Sequence, residues 1–172
     1  MTSRSTAGLA RLNAADADTA ARLLREVCSS TTWVAAVLAE RPYPDAEALL
    51  AASDAALHDL TADDLGEAMA GHPPIGRPEP GDPTSAREQR GMAGASDRLK
   101  AELLELNLAY QERFGHVFLI CATGLTGEQM RDAARARIGN TLEQEREIVR
   151  GELGKINRIR LTRLVAAEGD PS

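Results

Sequence analysis

Apolar side chains recur through this sequence at the spacing of an α-helix, and that period, held over most of the chain, commits it to helices. Leu99, Leu103, Leu106, Tyr110 and Phe114 stand at i, i+4, i+7, i+11 and i+15, which lines them along one face of a helix with 3.6 residues per turn. Val149, Leu153, Ile156, Arg160 and Leu164 repeat the spacing. Ala17, Ala20, Ala21, Leu24, Val27 and Cys28 follow it more loosely up to Ser29 and Ser30. Alanine and leucine dominate, aromatic residues make up 3%, and β-branched residues form only short clusters, a mixture that favours helices over sheets. The expectation is all-α: a single-domain bundle of about seven to eight helices over residues 1–172, with 1–12 and 168–172 as flexible ends.

Breakers and caps divide the pattern. A helix carrying Trp33, Val34, Val37 and Leu38 ends before Pro42 and Pro44, leaving a turn from Arg41 to Pro44. From Asp45 a helix bears Leu49, Leu50, Ala52, Ala56, Leu57 and Leu60; Thr61-Ala62-Asp63-Asp64 then caps another that ends near Gly71. Between His72 and Thr84, Pro73, Pro74, Pro78, Pro80 and Pro83 alternate with Gly76 and Gly81, and no helical hydrogen-bond ladder survives such a run. This loop is poor in conformational freedom, which suits the fixed presentation of one side chain. Helix resumes at Ser85, weakened by Gly91 and Gly94, and runs to Gly115. Val117-Phe118-Leu119-Ile120-Cys121-Ala122 is apolar throughout and fits either a short extended segment or a turn of helix; extended backbone crossing the core is the expectation. Thr126 and Gln129 have capping-box spacing and open a helix to about Ile138, and Thr141 and Gln144 repeat the device for a final helix to about Ala167.

The net charge of −6 and pI near 5.1 argue against nucleic acid as a partner, since such binding rests on clustered Lys and Arg. A small anion remains compatible, because one well-placed arginine can dominate a local field. Apolar residues nowhere run long enough to cross a bilayer, so no membrane partner is expected. Cys28 and Cys121 lie far apart, without the spacing of a zinc site, and read as buried thiols. The N-terminus lacks a signal-peptide pattern, and Gly169-Asp170-Pro171-Ser172 is not a peroxisomal ending, so the cytoplasm is the expected compartment.

Three places can carry chemistry. His72 opens the proline-rich loop and, with an ordinary pKa of about 6.5, can give or take a proton near neutrality; a solvated loop histidine fits the same spacing. His58 and His116 have no comparable setting. Ser85-Ala86-Arg87-Glu88-Gln89 reads as a capping box, yet a helix start also binds anions, with Glu88 and Gln89 adding directional bonds. Arg160 stands in the apolar stripe of the final helix, where a guanidinium needs an anionic or strongly accepting partner. An ion pair with a glutamate and a clamp for a substrate carboxylate or ureido group both meet that need. Arg158 and Arg163 lie off the stripe and read as solvated.

Several short motifs follow one another: Cys28-Ser29-Ser30-x-x-Trp33, Arg41-Pro42-Tyr43, His72-Pro73-Pro74-Ile75-Gly76, Ser85-x-x-Glu88-Gln89, Phe114-Gly115-x-x-Phe118-Leu119-Ile120, Lys155-Ile156 and Arg160-Leu161. In order and spacing they resemble the 2-oxo-4-hydroxy-4-carboxy-5-ureidoimidazoline (OHCU) decarboxylase family of urate breakdown, over nearly the whole chain. The resemblance implies an all-α enzyme without metal or organic cofactor, decarboxylating a small ureidoimidazoline to (S)-allantoin, and working as a homodimer. It implies His72 as the catalytic acid/base and Glu88 as its acidic partner. Pro73, Ser85, Gln89 and Arg160 would contact the substrate, and the backbone of Ile120, Cys121, Ala122, Thr123 and Gly124 would line the same pocket. The chain departs from the family at Pro74, where relatives usually carry a polar residue, and at His116, where an aromatic residue is common. A non-catalytic helical interaction domain, or another lyase or isomerase on the same scaffold, is the competing reading.

Overall fold

The helices begin where small polar side chains can take up the free amides of a first turn. The computed structural model describes residues 7–70, 90–92 and 94–166, and among them are eight α-helices and no strand: α1 (Ala7–Ala14), α2 (Ala17–Val27), α3 (Thr31–Ala39), α4 (Ala46–His58), α5 (Ala62–Ala70), α6 (Asp97–Phe114), α7 (Gly127–Arg137) and α8 (Leu142–Ala166). Asp16 caps α2 through the Thr19 amide at 2.8 Å, Ser30 caps α3 through Trp33, Asp45 caps α4 through Ala48, and Ser96 caps α6 through Leu99. Thr126 and Gln129 exchange both bonds of a capping box, as do Thr141 and Gln144. Thr61 and Asp64 do the same at α5 with the shorter acid. Gly115 ends α6 at φ 82°, the left-handed conformation that a Cβ would strain, and donates to the Gln111 carbonyl at 2.8 Å. No described helix is long and apolar enough to cross a membrane.

By its internal packing the chain divides into two compact units, 1–68 with 154–172, and 69–153. The first holds α1 to α4, most of α5 and the second half of α8. Its core is built from Leu9, Leu12, Leu24, Trp33, Val37, Leu49, Leu57, Leu65 and Leu161, all buried. The Trp33 indole, fully buried, donates to the Ser53 hydroxyl at 3.2 Å, so its one polar atom is satisfied. Residues 7–12, expected as part of a flexible end, instead belong to α1. Its C-terminal carbonyls are taken by Arg41, whose Nη1 donates to Leu12 and Ala15 at 2.7 Å each. The Asn13 side chain pairs with the Tyr43 backbone: the Tyr43 amide donates to Asn13 Oδ1 at 2.8 Å, and Asn13 Nδ2 donates to the Tyr43 carbonyl at 2.9 Å. The Tyr43 hydroxyl closes on the Val37 carbonyl at 2.6 Å, and burial raises its pKa to about 12, keeping it a donor. Arg41-Pro42-Tyr43 is thus a clasp between α1 and the α3–α4 turn.

The second unit holds α6, α7 and the first half of α8 around Met92, Leu103, Tyr110, Phe118, Ile120, Ala122, Met130 and Ala134. The helix expected from Ser85 to Gly115 is not continuous. Arg90–Met92 is a 3₁₀ turn, and α6 starts only at Asp97 behind its Ser96 cap; Gly91 and Gly94 supply the loss of helical propensity that separates them. The ends of the chain beyond Ala166 lie outside the described residues.

Within the first unit, α1 runs so close to the end of α8 that a Cβ on Gly8 would stand 2.6 Å from the carbonyl oxygens of both Leu164 and Val165. Backbone cannot move aside as a side chain can. Gly8→Ala is expected to destabilise the protein by about 1–3 kcal/mol. Gly66→Ala, in open space on α5, should be neutral or gain up to about 1 kcal/mol. Thermal unfolding of the two variants beside the parent checks both.

Candidate functional site

Of the residues assigned to a site from sequence, His72, Pro73, Ser85, Glu88 and Gln89 lie outside the described residues. Those that are described fall in two places, Arg160 in the first unit and Ile120 to Gly124 in the second.

The segment after Gly115 is neither helix nor paired strand, so its backbone groups need partners from elsewhere. Phe118, Ile120 and Ala122 enter the core cluster, whereas Leu119 and Cys121 do not. That alternation of two is the signature of extended backbone, as expected. The Leu119 carbonyl accepts from Arg137 Nη1 at 2.7 Å, and the Cys121 amide donates to Glu152 Oε1 at 3.0 Å. At the far end the Leu125 amide returns to the Ala122 carbonyl at 3.0 Å, closing a turn over Thr123 and Gly124, with Gly124 at φ 83°. Thr123 and Gly124 are exposed. Cys121 is half-buried, not the enclosed thiol that its apolar neighbours suggest.

Arg137 and Glu145 were not singled out by the sequence, yet they hold this segment. Arg137 is 7% exposed and Glu145 1%. The guanidinium Nε donates to Glu145 Oε1 at 2.6 Å, and Cζ lies 4.6 Å from the Phe118 ring centre. Tyr110 donates its hydroxyl to the same carboxylate at 2.6 Å, and Asn140 donates to Oε2 at 3.0 Å. Burial pushes the Glu145 carboxyl up, but the bonds from Arg137, Tyr110 and Asn140 with the charge of Arg137 outweigh it and hold the group below its usual range. Burial, then the hydrogen bond and charge of Glu145, push the Tyr110 phenol well above its ordinary value. Phe114, Phe118 and His116 surround the Tyr110 ring at 4.5, 5.3 and 5.5 Å between centres. His116 thus extends an aromatic cluster.

Arg160 is half-buried, and Nη1 donates to the Val27 carbonyl at 3.0 Å. Beside it, Cys28 is buried against Asn157, and burial raises its thiol pKa. The residues that follow tie two helices together. Ser29 donates to the Glu67 carbonyl at 3.1 Å, and Glu67 accepts from the Thr31 amide at 2.8 Å and hydroxyl at 2.7 Å. Ser29 and Thr31 thus hold the start of α3 against the last turns of α5. Arg158, read as solvated, forms a forked ion pair with Asp54, with its shortest contact 2.7 Å. A groove of about 540 Å³ over Ala48, Ala51, Ala52 and Ala55 contains none of the predicted site residues. Among the described residues no three metal-binding side chains cluster.

The arrangement of helices matches solved structures. One, determined as OHCU decarboxylase in the presence of (S)-allantoin, is 26% identical with a TM-score of 0.75, covering 83% of this chain and 96% of that one. Another, (S)-allantoin synthase, shares the fold at 20% identity and a TM-score of 0.69, over 91% of this chain and 54% of that one. The sequence profile of OHCU decarboxylase matches residues 13–162, and the chain belongs to that family. Curated relatives include the uric acid degradation bifunctional protein TTL of Arabidopsis thaliana, 30% identical over 80% of this chain and 44% of that protein. The bifunctional protein PucL of Bacillus subtilis is 25% identical over 92% of this chain and 33% of its own length. The chain thus spans less than half of these two. It covers 97% of the 2-oxo-4-hydroxy-4-carboxy-5-ureidoimidazoline decarboxylase of Haloferax volcanii, at 24% identity over 93% of this chain.

Glu145 gives a pH prediction with a definite sign. Its carboxyl titrates below the ordinary 4.5 in the folded protein, so its contribution is complete above the unfolded pKa and is lost as pH falls through the folded one. Glu145→Gln is expected to destabilise by about 3–5 kcal/mol at pH 7, with the gap to the parent closing as the pH drops below 4.5. Urea unfolding from pH 7 to pH 3 measures it; a constant gap would contradict the assignment.

Proposed function

We propose that this protein decarboxylates 2-oxo-4-hydroxy-4-carboxy-5-ureidoimidazoline to (S)-allantoin in urate breakdown, without metal or organic cofactor. The observation that carries the reading is the end-to-end match to the Haloferax volcanii decarboxylase, 97% of whose length is covered. The longer bifunctional relatives match over 44% and 33% of their own lengths.

The substrate brings its own electron sink. Its leaving carboxylate is attached beside a ring C=N bond, so when the C–C bond to the carboxylate breaks, the released pair moves into the ring and CO2 departs. An ene-type intermediate remains. Arg160, Ser85, Gln89, Pro73 and the backbone of Ile120 to Gly124 are the groups assigned to substrate contact, and His72 with Glu88 holds the ring hydroxyl and manages its proton. Delivery of a proton to one face, through His72, leaves a single enantiomer. This division of roles follows from the resemblance and from the chemistry each group can perform. Arg160 has a held guanidinium suited to a carboxylate or ureido oxygen. We also propose a cytoplasmic homodimer, for which sedimentation at micromolar concentration is the test.

Circular dichroism tests the activity. OHCU generated freshly from urate with uricase and hydroxyisourate hydrolase should give rapid one-handed signal with the protein and only slow racemic decay without it. His72→Ala should lower kcat by about 10²–10⁴, and Arg160→Ala should raise KM more than it lowers kcat. A protein that leaves the decay unaltered is not this decarboxylase, and the interaction-domain or alternative-lyase reading would replace it.

A further inference from the structure

We infer that Glu152 is a positioning residue that fixes which edge of the 117–122 segment is offered to a ligand; the inference rests on the decarboxylase reading, in which the backbone of Ile120 to Gly124 lines the substrate site. In extended backbone the N–H and C=O of one residue point to the same edge, and those of the next residue to the opposite edge. Leu119 and Cys121 therefore share an edge, and Ile120 takes the other. The structure occupies the first edge from two directions. Arg137 on α7 donates to the Leu119 carbonyl at 2.7 Å, and Glu152 on α8 accepts from the Cys121 amide at 3.0 Å. With a cationic donor and an anionic acceptor matched to one carbonyl and one amide, a flip of the segment would exchange them and face like with like. The edge bearing the amide and carbonyl of Ile120 is thereby directed away from the α7–α8 side of the segment.

The two tethers differ in what else they do. Arg137 is inseparable from Glu145 and the core, so its replacement would report on folding. Glu152 is half-buried, and truncating it removes a tether while the core stays filled. Its task needs an acceptor but no charge, since a glutamine amide oxygen can take the same Cys121 proton. That separates a positioning role from a catalytic one.

The test compares Glu152→Ala and Glu152→Gln with the parent by allantoin-forming kinetics, amide hydrogen exchange at Cys121 read by NMR, and thermal unfolding. For Glu152→Ala the expected result is a KM raised about tenfold with kcat within about threefold, and Cys121 exchange at least about tenfold faster. Glu152→Gln should restore KM and exchange to within about threefold of the parent. Parental kinetics and exchange in Glu152→Ala, or a Glu152→Gln as impaired as Glu152→Ala, would overturn the positioning role while leaving the decarboxylase reading intact. A parent without turnover overturns that reading and, with it, the role in substrate binding.

Discussion

Arg137 and Glu145 put a full positive and a full negative charge inside an apolar core, where either alone would cost several kcal/mol. What the pair supplies is direction. Three donors from three places converge on the Glu145 carboxylate: Tyr110 from α6, Arg137 from α7 and Asn140 from the turn before α8. Arg137 carries the link onward to the Leu119 carbonyl and covers the Phe118 ring. An apolar replacement of equal volume could match the packing, but the Leu119 carbonyl in the non-helical 117–122 segment would lose its donor. The second unit thus depends on this ion pair to hold a stretch of chain that no helix or sheet supports.

The first unit meets a similar need by capping. Arg41 serves the end of α1, Ser30 the start of α3, and Glu67 the amide of Thr31 in α3. Among the motif residues behind the family resemblance, Ser29, Ser30, Arg41, Tyr43 and Arg160 act on backbone groups at helix ends, while Trp33, Phe118, Ile120, Ile156 and Leu161 fill core. Such residues tolerate little change, because the group they satisfy is fixed by the chain path and not by a neighbouring side chain.

Much of this was legible in the sequence where a local rule decides the outcome. The caps at Thr126 and Thr141, the glycine end at Gly115, and the breaks at Pro42 and before Asp45 depend on residues within one turn of each other. Arg41 and Asn13 depend on partners 26 to 30 residues away, so α1 was hidden behind a polar-looking start. Arg137 and Glu145 were more accessible than they seemed. Arg137 follows Met130 and Ala134 at i+7 and i+3 on one face, and Glu145 continues the stripe of Val149 and Leu153 backward by four. The argument that marked Arg160 as out of place in an apolar stripe marks these two as well, with opposite charges that answer each other. The His72 loop and the Ser85 to Gln89 start lie outside the described residues.

A helical protein that binds a small polar substrate has a supply problem. Helices spend their amides and carbonyls on themselves, leaving free groups only at their ends. Backbone recognition of a planar, hydrogen-bonding ring therefore needs a stretch that has escaped helix, and such a stretch is costly to bury unless its remaining polar groups are answered. The segment from Val117 to Gly124 meets both conditions: one edge is answered by Arg137 and Glu152, and the chain then emerges at the exposed turn of Thr123 and Gly124. On the proposed reading, the buried ion pair and the ligand-facing backbone are parts of one solution. On that reading the charges stay in the core because they hold the non-helical chain beside them open to a substrate.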